Sequence, residues 1–209
     1  MNNIIWVFRE HRSGSTWFIK KIAYLLKRPD NFLEMPEKLF LARKQTNQDS
    51  KEILNTHNFV ALKSLKNYTN PIVIRVSRKN KTEQFISEYI ANHRRDILKS
   101  PIWNIKSEKE IDEFANFKNI EIPLDQAVKF MLRLKEYDEL WNTNTANTIN
   151  ETIYYEDMLN GYNVKSLNNI YVKMKDVEDQ RQLTWKLPYN KKDIILNYKE
   201  INEYFNTGG

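Results

Sequence analysis

The chain has 209 residues, long enough for one domain with a sizeable core and short for a two-domain enzyme. Its 33 basic and 27 acidic residues leave a net charge of +6, which suits an anionic ligand but is spread too evenly for a nucleic-acid-binding protein. Cysteine is absent, which excludes disulfides and thiolate metal sites, and no apolar run approaches the length of a membrane span.

Ile4, Ile5, Trp6, Val7 and Phe8 form a short apolar run, and Ile19, Ile22, Ala23 and Leu26 recur at helical spacing. Between them lie Arg12-Ser13-Gly14-Ser15-Thr16-Trp17. That order predicts a strand, a tight loop and a helix, with the loop at the helix N-terminus. There are four glycines and two of them close the sequence, so Gly14 marks a sharp turn or a close approach to a ligand. Free N–H groups at a helix start bind anions, and the hydroxyls of Ser13, Ser15 and Thr16 add donors. Arg12 brings a permanent cation to the loop's mouth. The chemistry is that of a phosphate-type site; the plainer alternative is an ordinary turn with a serine cap. No Gly-Lys pair occurs, so the G-x-x-x-x-G-K-[ST] pattern of nucleotide hydrolases is missing.

Because the sequence enters a strand almost at once, no signal peptide is expected. The expectation is a soluble, cytoplasmic protein with a single domain over residues 1–209. Residues 43–52 and 142–151 are polar enough to be exposed loops. Pro71–Ser77 is β-branched and bounded by turn residues, which predicts a buried strand ending at Arg78. A helix should begin near Thr82, with Phe85, Ile86, Tyr89, Ile90 and Ile97 on one stripe and Ser87 and Glu88 pointing elsewhere. Ligands of open α/β sheets bind at the C-terminal ends of strands, near a switch in strand order. Arg12 and Arg78 both hold such positions. Pro123 opens an amphipathic helix (Leu124, Ala127, Val128, Met131, Leu134, Leu140, Trp141).

The loop resembles the 5′-phosphosulfate loop of the sulfotransferases, Lys/Arg-Ser-Gly-Ser/Thr-Thr-Trp/Leu after the first strand. The stretch from Arg75 through Arg78 and Ser87 to Tyr89 is similar to their 3′-phosphate motif, an arginine after a strand and a serine on the next helix. The nine-residue interval from Arg78 to Ser87 is that of the bacterial enzymes acting on trehalose glycolipids and nodulation factors. Thr56-His57 resembles the strand-end Lys-Thr-His of the cytosolic enzymes, and stands twenty-one residues before Arg78. Tyr154-Tyr155-Glu156-Asp157-Met158 resembles the family's Tyr-Glu-Asp-Leu/Met, a brace for the sheet and the next helix. Gln180–Pro188, with Arg181 and Lys186, is similar to the late loop over the nucleotide, and Ile195-Leu196-Asn197-Tyr198 to the helix after it.

The resemblance implies an α/β fold with a P-loop-like central parallel sheet flanked by helices on both faces. It implies sulfuryl transfer from 3′-phosphoadenosine 5′-phosphosulfate (PAPS; product PAP) to a hydroxyl of a carbohydrate or other small molecule, with no metal. Arg12, Ser13, Gly14, Ser15, Thr16, Arg78, Ser87 and Lys186 would bind the cofactor. Trp17 would stack on adenine or else pack under the first helix. His57 would take the acceptor's proton and Arg12 would neutralise charge on the leaving oxygen. In the trehalose-type enzymes an acidic residue after the first helix fills the base's place, so Glu34 or Glu37 competes with His57. The rival readings are a P-loop nucleotide kinase and a non-catalytic binder of the nucleotide or of a sulfated glycan. The acceptor's identity and the oligomeric state stay open.

Overall fold

β-branched and aromatic runs buried on both sides read as near-continuous apolar stretches, the pattern of parallel sheets. The computed structural model describes residues 4–32, 53–98, 119–174 and 190–208. Within them, β1 (Ile5–Arg9), β2 (Asp30–Phe32), β3 (Ile53–Thr56), β4 (Ile72–Ser77) and β5 (Ile149–Tyr154) make one sheet in the order β2-β3-β1-β4-β5. Every neighbouring pair is parallel. Every residue of β1 and of β4 is buried.

The chain divides into two compact units, Met1–Lys79 with Lys135–Asp176, and Asn80–Leu134 with Val177–Gly209. The first holds the sheet. On one face, Ile5, Val7, Ile53, Ile72 and Ile74 pack with Phe18, Ile19 and Ile22 of α1 (Ser15–Leu26). On the other, Trp6, Phe8, Leu54 and Val73 pack with Phe59, Leu62 and Leu65 of a 3-10 helix (Phe59–Asn67) and with Trp141. Trp141 lies near the end of the helix Leu124–Thr145, whose first turns belong to the second unit. The protein is therefore α/β, with a parallel sheet covered on both faces. A short ribbon, β6 (Tyr162–Val164) against β7 (Ile170–Val172), completes the unit.

The second unit contains α2 (Lys81–Leu98), the first turns of α3 (Leu124–Thr145) and two C-terminal helices, Lys191–Ile194 and Tyr198–Asn206. Phe85, Phe130 and Phe205 meet at its centre, with ring centroids 5.4 to 5.9 Å apart. Asn197 closes it by accepting from the Ile122 N–H and donating to the Ile122 carbonyl.

One expectation needs correction. Residues 142–151 are not one loop: α3 runs to Thr145 and β5 starts at Ile149. As an edge strand, β5 exposes its first two residues, so a polar sequence suffices there. Glu88 is buried, and Arg133 meets its carboxylate at 2.8 Å. Among the described residues no helix is long and apolar enough to cross a membrane.

Arg75 is the sheet's buried cation. Its Nη2 lies 2.5 Å from Oε1 of Glu10, its Nη1 lies 2.5 Å from Asp138, and its guanidinium is 5.5 Å from the Phe59 ring centroid. Burial works against the charge, but Glu10 and Asp138 more than offset it and hold Arg75 above the ordinary arginine pKa. Asp138 is half exposed, so Glu10 is the partner that depends on the pair. Arg75→Met should lower the unfolding free energy by about 3–5 kcal/mol, because it strands a buried carboxylate. Urea denaturation measures this; a loss below about 1 kcal/mol, the range of an exposed pair, would show that Glu10 needs no counter-ion.

Candidate functional site

In a parallel sheet all strands end on the same edge. Here β1 is central, with β3 on one side and β4 on the other, so the strand order reverses at β1. The carboxyl end of such a strand is where α/β sheets bind ligands. Four segments leave that edge together: Glu10–Trp17 after β1, His57 after β3, Arg78 after β4, and Tyr155-Glu156 after β5.

The loop after β1 is pinned from below. The Glu10 N–H donates to the Val76 carbonyl at 3.1 Å, and the Ser13 hydroxyl donates back to the Glu10 carbonyl at 2.7 Å. Arg12 and Gly14 both adopt left-handed backbone, with φ of 59° and 74°. For arginine this costs about 1–2 kcal/mol, and such strain gathers at functional turns. Gly14 caps α1 with no side-chain hydrogen bond, and the first turn carries no acidic residue. The N–H groups that open α1 therefore carry the helix's positive end without a carboxylate to offset it. Arg12 and Thr16 are exposed at this end, and Ser15 is buried.

Gly14 has a second reason to be glycine. A Cβ there would fall 2.6 Å from Cδ2 of Tyr155 and 3.5 Å from Cε of Met174. Tyr155 also meets Arg78, whose guanidinium carbon is 4.8 Å from the ring centroid. Arg78 Nε also lies 3.5 Å from Glu156 Oε1, and the Lys79 N–H donates to Glu156 Oε2 at 2.8 Å. Tyr155-Glu156 thus touches both the loop and the strand-end arginine. Lys79 reaches Asp157 at 2.5 Å, and this hydrogen bond holds its ammonium above the ordinary lysine value.

His57 follows β3 and faces Arg9. Its Nδ1 is 2.8 Å from the Arg9 carbonyl, and its Nε2 is 2.9 Å from Arg9 Nη2. A carbonyl only accepts and a guanidinium only donates, so the ring is neutral with its proton on Nδ1. His11 stacks on it at 4.0 Å, with 4° between the ring planes. The lone pair a base would use already accepts from Arg9.

The sequence-predicted residues therefore part company. Arg12, Gly14, Thr16 and Arg78 lie at the strand-end edge or at the helix start. Ser13 belongs to the loop, but its fully buried hydroxyl serves the Glu10 carbonyl and not a ligand. Trp17 is in the core with Ile5 and Phe18, which is packing under the first helix and not a platform for adenine. Ser87 lies in the second unit, where its hydroxyl accepts from Lys191 Nζ at 2.6 Å. Lys191 is also held by Glu83, whose other oxygen meets the Tyr198 hydroxyl. Burial and then Glu83 keep that tyrosine's pKa above its ordinary value. Glu34, Glu37, Arg181 and Lys186 lie outside the described residues.

Sequence reading passed over Arg9, His11, Glu10 and Lys191. Arg9 and Glu10 directly follow an apolar run, and charges at the end of a buried strand were the available signal. Lys191 offered no local signal, since its partners are 104 and 108 residues away. Among the described residues no group of His, Asp and Glu side chains is arranged to hold a metal ion. No protein-family model, curated protein or solved structure matches the chain.

Two outcomes test this geometry. Gly14→Ala should both strain the left-handed turn and push the Tyr155 ring, lowering the thermal midpoint by several degrees; an unchanged midpoint would mean the ring is not seated on the glycine. In long-range nitrogen–proton NMR spectra, His57 should show Nε2 as the unprotonated nitrogen near neutral pH. Protonated Nε2 would break the pairing with Arg9.

Proposed function

We propose that the chain is a sulfotransferase-type enzyme, with a P-loop-like sheet, that carries the sulfuryl group from PAPS to a hydroxyl of a carbohydrate or other small molecule. One observation carries the reading: an uncapped helix start behind a left-handed glycine, at the reversal of a parallel sheet, beside a second strand-end arginine. Helix N-termini of this kind take phosphate and sulfate esters.

The residues present fit the group. Arg12 and the N–H donors that open α1 would hold the phosphosulfate end, and Arg78 would fork onto the 3′-phosphate. Ser87 belongs to the other unit, and its part in the 3′-phosphate site rests on the motif spacing alone. When bound, PAPS supplies the activated sulfuryl group. Arg12 offers fixed positive charge where negative charge gathers at the loop, and arginine is too basic to serve as the proton donor. His57 takes the acceptor's proton at Nε2 once Arg9 releases that atom; Glu34 is the alternative base. A base at the acceptor's proton is worth about 10²–10⁴ in rate.

A second reading draws on the same histidine. With Nε2 already engaged by Arg9, the site as it stands suits a protein that binds the nucleotide or a sulfated glycan without turnover.

Calorimetric titration with 3′,5′-bisphosphoadenosine decides the matter, with ATP plus magnesium and 5′-AMP as controls. The bisphosphate should bind selectively, and Arg12→Ala or Arg78→Ala should each weaken it roughly ten- to a hundredfold, the worth of a charged hydrogen bond. Unchanged affinity in both variants overturns the site. Preference for ATP with magnesium would replace this reading with the kinase.

A further inference from the structure

We infer that Tyr155 is a positioning residue of the anion site, setting through one ring both the turn at Gly14 and the place of the Arg78 guanidinium; this rests on the functional reading above. The two elements it joins are distant in sequence, one after β1 and the other after β4. The ring meets them from a third, since it opens the helix α4 (Tyr155–Asn160) that follows β5.

Three observations specify the role. The space beside Gly14 is filled by the Tyr155 ring to the point where a methyl group would sit 2.6 Å from Cδ2. The Arg78 guanidinium lies over that ring at 4.8 Å, within the reach of a cation–π attraction. Glu156, the next residue, faces Arg78 Nε at 3.5 Å and accepts from the Lys79 backbone at 2.8 Å. An arginine side chain has several rotatable bonds and loses much freedom when it is fixed on a ligand. Here an aromatic face and a carboxylate hold it before any ligand arrives, which lowers the entropic cost of binding. The same ring bounds the loop at Gly14 and carries the arginine, so Tyr155 gauges how far apart the ligand's two anionic groups must be.

The test has a ligand-free arm and a binding arm. In the free protein the Arg78 Hδ protons should show an upfield ring-current shift that Tyr155→Leu removes and Tyr155→Phe keeps. Wild type and Tyr155→Phe should bind 3′,5′-bisphosphoadenosine equally, and Tyr155→Leu about tenfold more weakly. The pair Tyr155→Leu with Arg78→Ala should lose less affinity than the two single losses combined, because both changes remove the contact between the ring and Arg78 while only the first disturbs the turn at Gly14. A ring that serves only for packing would give additive losses instead. If Tyr155→Leu does not fold, Tyr155→His replaces it at about pH 8, where the imidazole is neutral and too small to fill the place of the phenol ring, and it too should bind about tenfold more weakly than wild type. Wild-type binding that Tyr155→Leu or Tyr155→His leaves intact overturns the role of Tyr155 alone. Absence of binding by wild type overturns the functional reading together with this one.

Discussion

Beneath the loop that follows β1, the buried carboxylate of Glu10 and the buried guanidinium of Arg75 neutralise each other, and the arrangement above them depends on that pairing. A buried ion pair is weak evidence for stability, since desolvating two charges consumes most of what they gain. Its worth here is in register. Glu10 is the residue at which the chain leaves the sheet, and Arg75 lies in the middle of the neighbouring strand. Tying them fixes where β1 stops. The Glu10 carbonyl is then placed to receive the Ser13 hydroxyl, and the turn through Arg12 and Gly14 follows from that closure. Asp138 takes the other end of the guanidinium, which brings the last turns of α3 into the same network.

Much of this was legible in the residues. The apolar run before Arg12 and the helical spacing after Trp17 define strand, loop and helix without help from elsewhere, because each is a local pattern. The strand before Arg78 is equally plain, being β-branched and bounded by turn residues. What escaped has a common cause. Glu10 with Arg75, His57 with Arg9, and Ser87 with Lys191 are pairs separated by 48 to 104 residues, and periodicity carries no information about them. Trp17 shows the reverse case. An aromatic at the first turn of a helix fits a stacking platform and a core residue equally well, and only the surrounding packing separates them. Polar residues at 142–151 suggested a loop because an edge strand exposed on one side and a helix end share that composition.

The charged side chains in β4 and just beyond its end fall into two kinds. Some are held from all sides, as Arg75 is, and serve the scaffold. Others, Arg78 above all, are held on an aromatic face and by a carboxylate of a neighbouring turn, an environment that fixes direction while leaving the guanidinium partly accessible. The second unit repeats the theme with different residues: Lys191 is placed by Glu83 and set against the Ser87 hydroxyl, and Glu83 is steadied by Tyr198. In each unit, then, a cation is oriented by a carboxylate and an aromatic residue one or two contacts away.

The central place of β1 has a consequence for how the chain reaches its fold. Both of its partners lie later in sequence, at residues 53–56 and 72–77, and parallel pairing offers no hairpin through which to start locally. Closing those long loops has to precede the hydrogen bonds that reward it, which places the sheet among slow-forming topologies. Until β3 and β4 arrive, Ile5–Phe8 is an apolar extended segment with both edges open, the kind of stretch that recruits other chains. On a ribosome making about 5–20 residues each second, that exposure lasts for seconds. The same burial that makes β1 the keel of the finished sheet makes it the segment most in need of protection during synthesis.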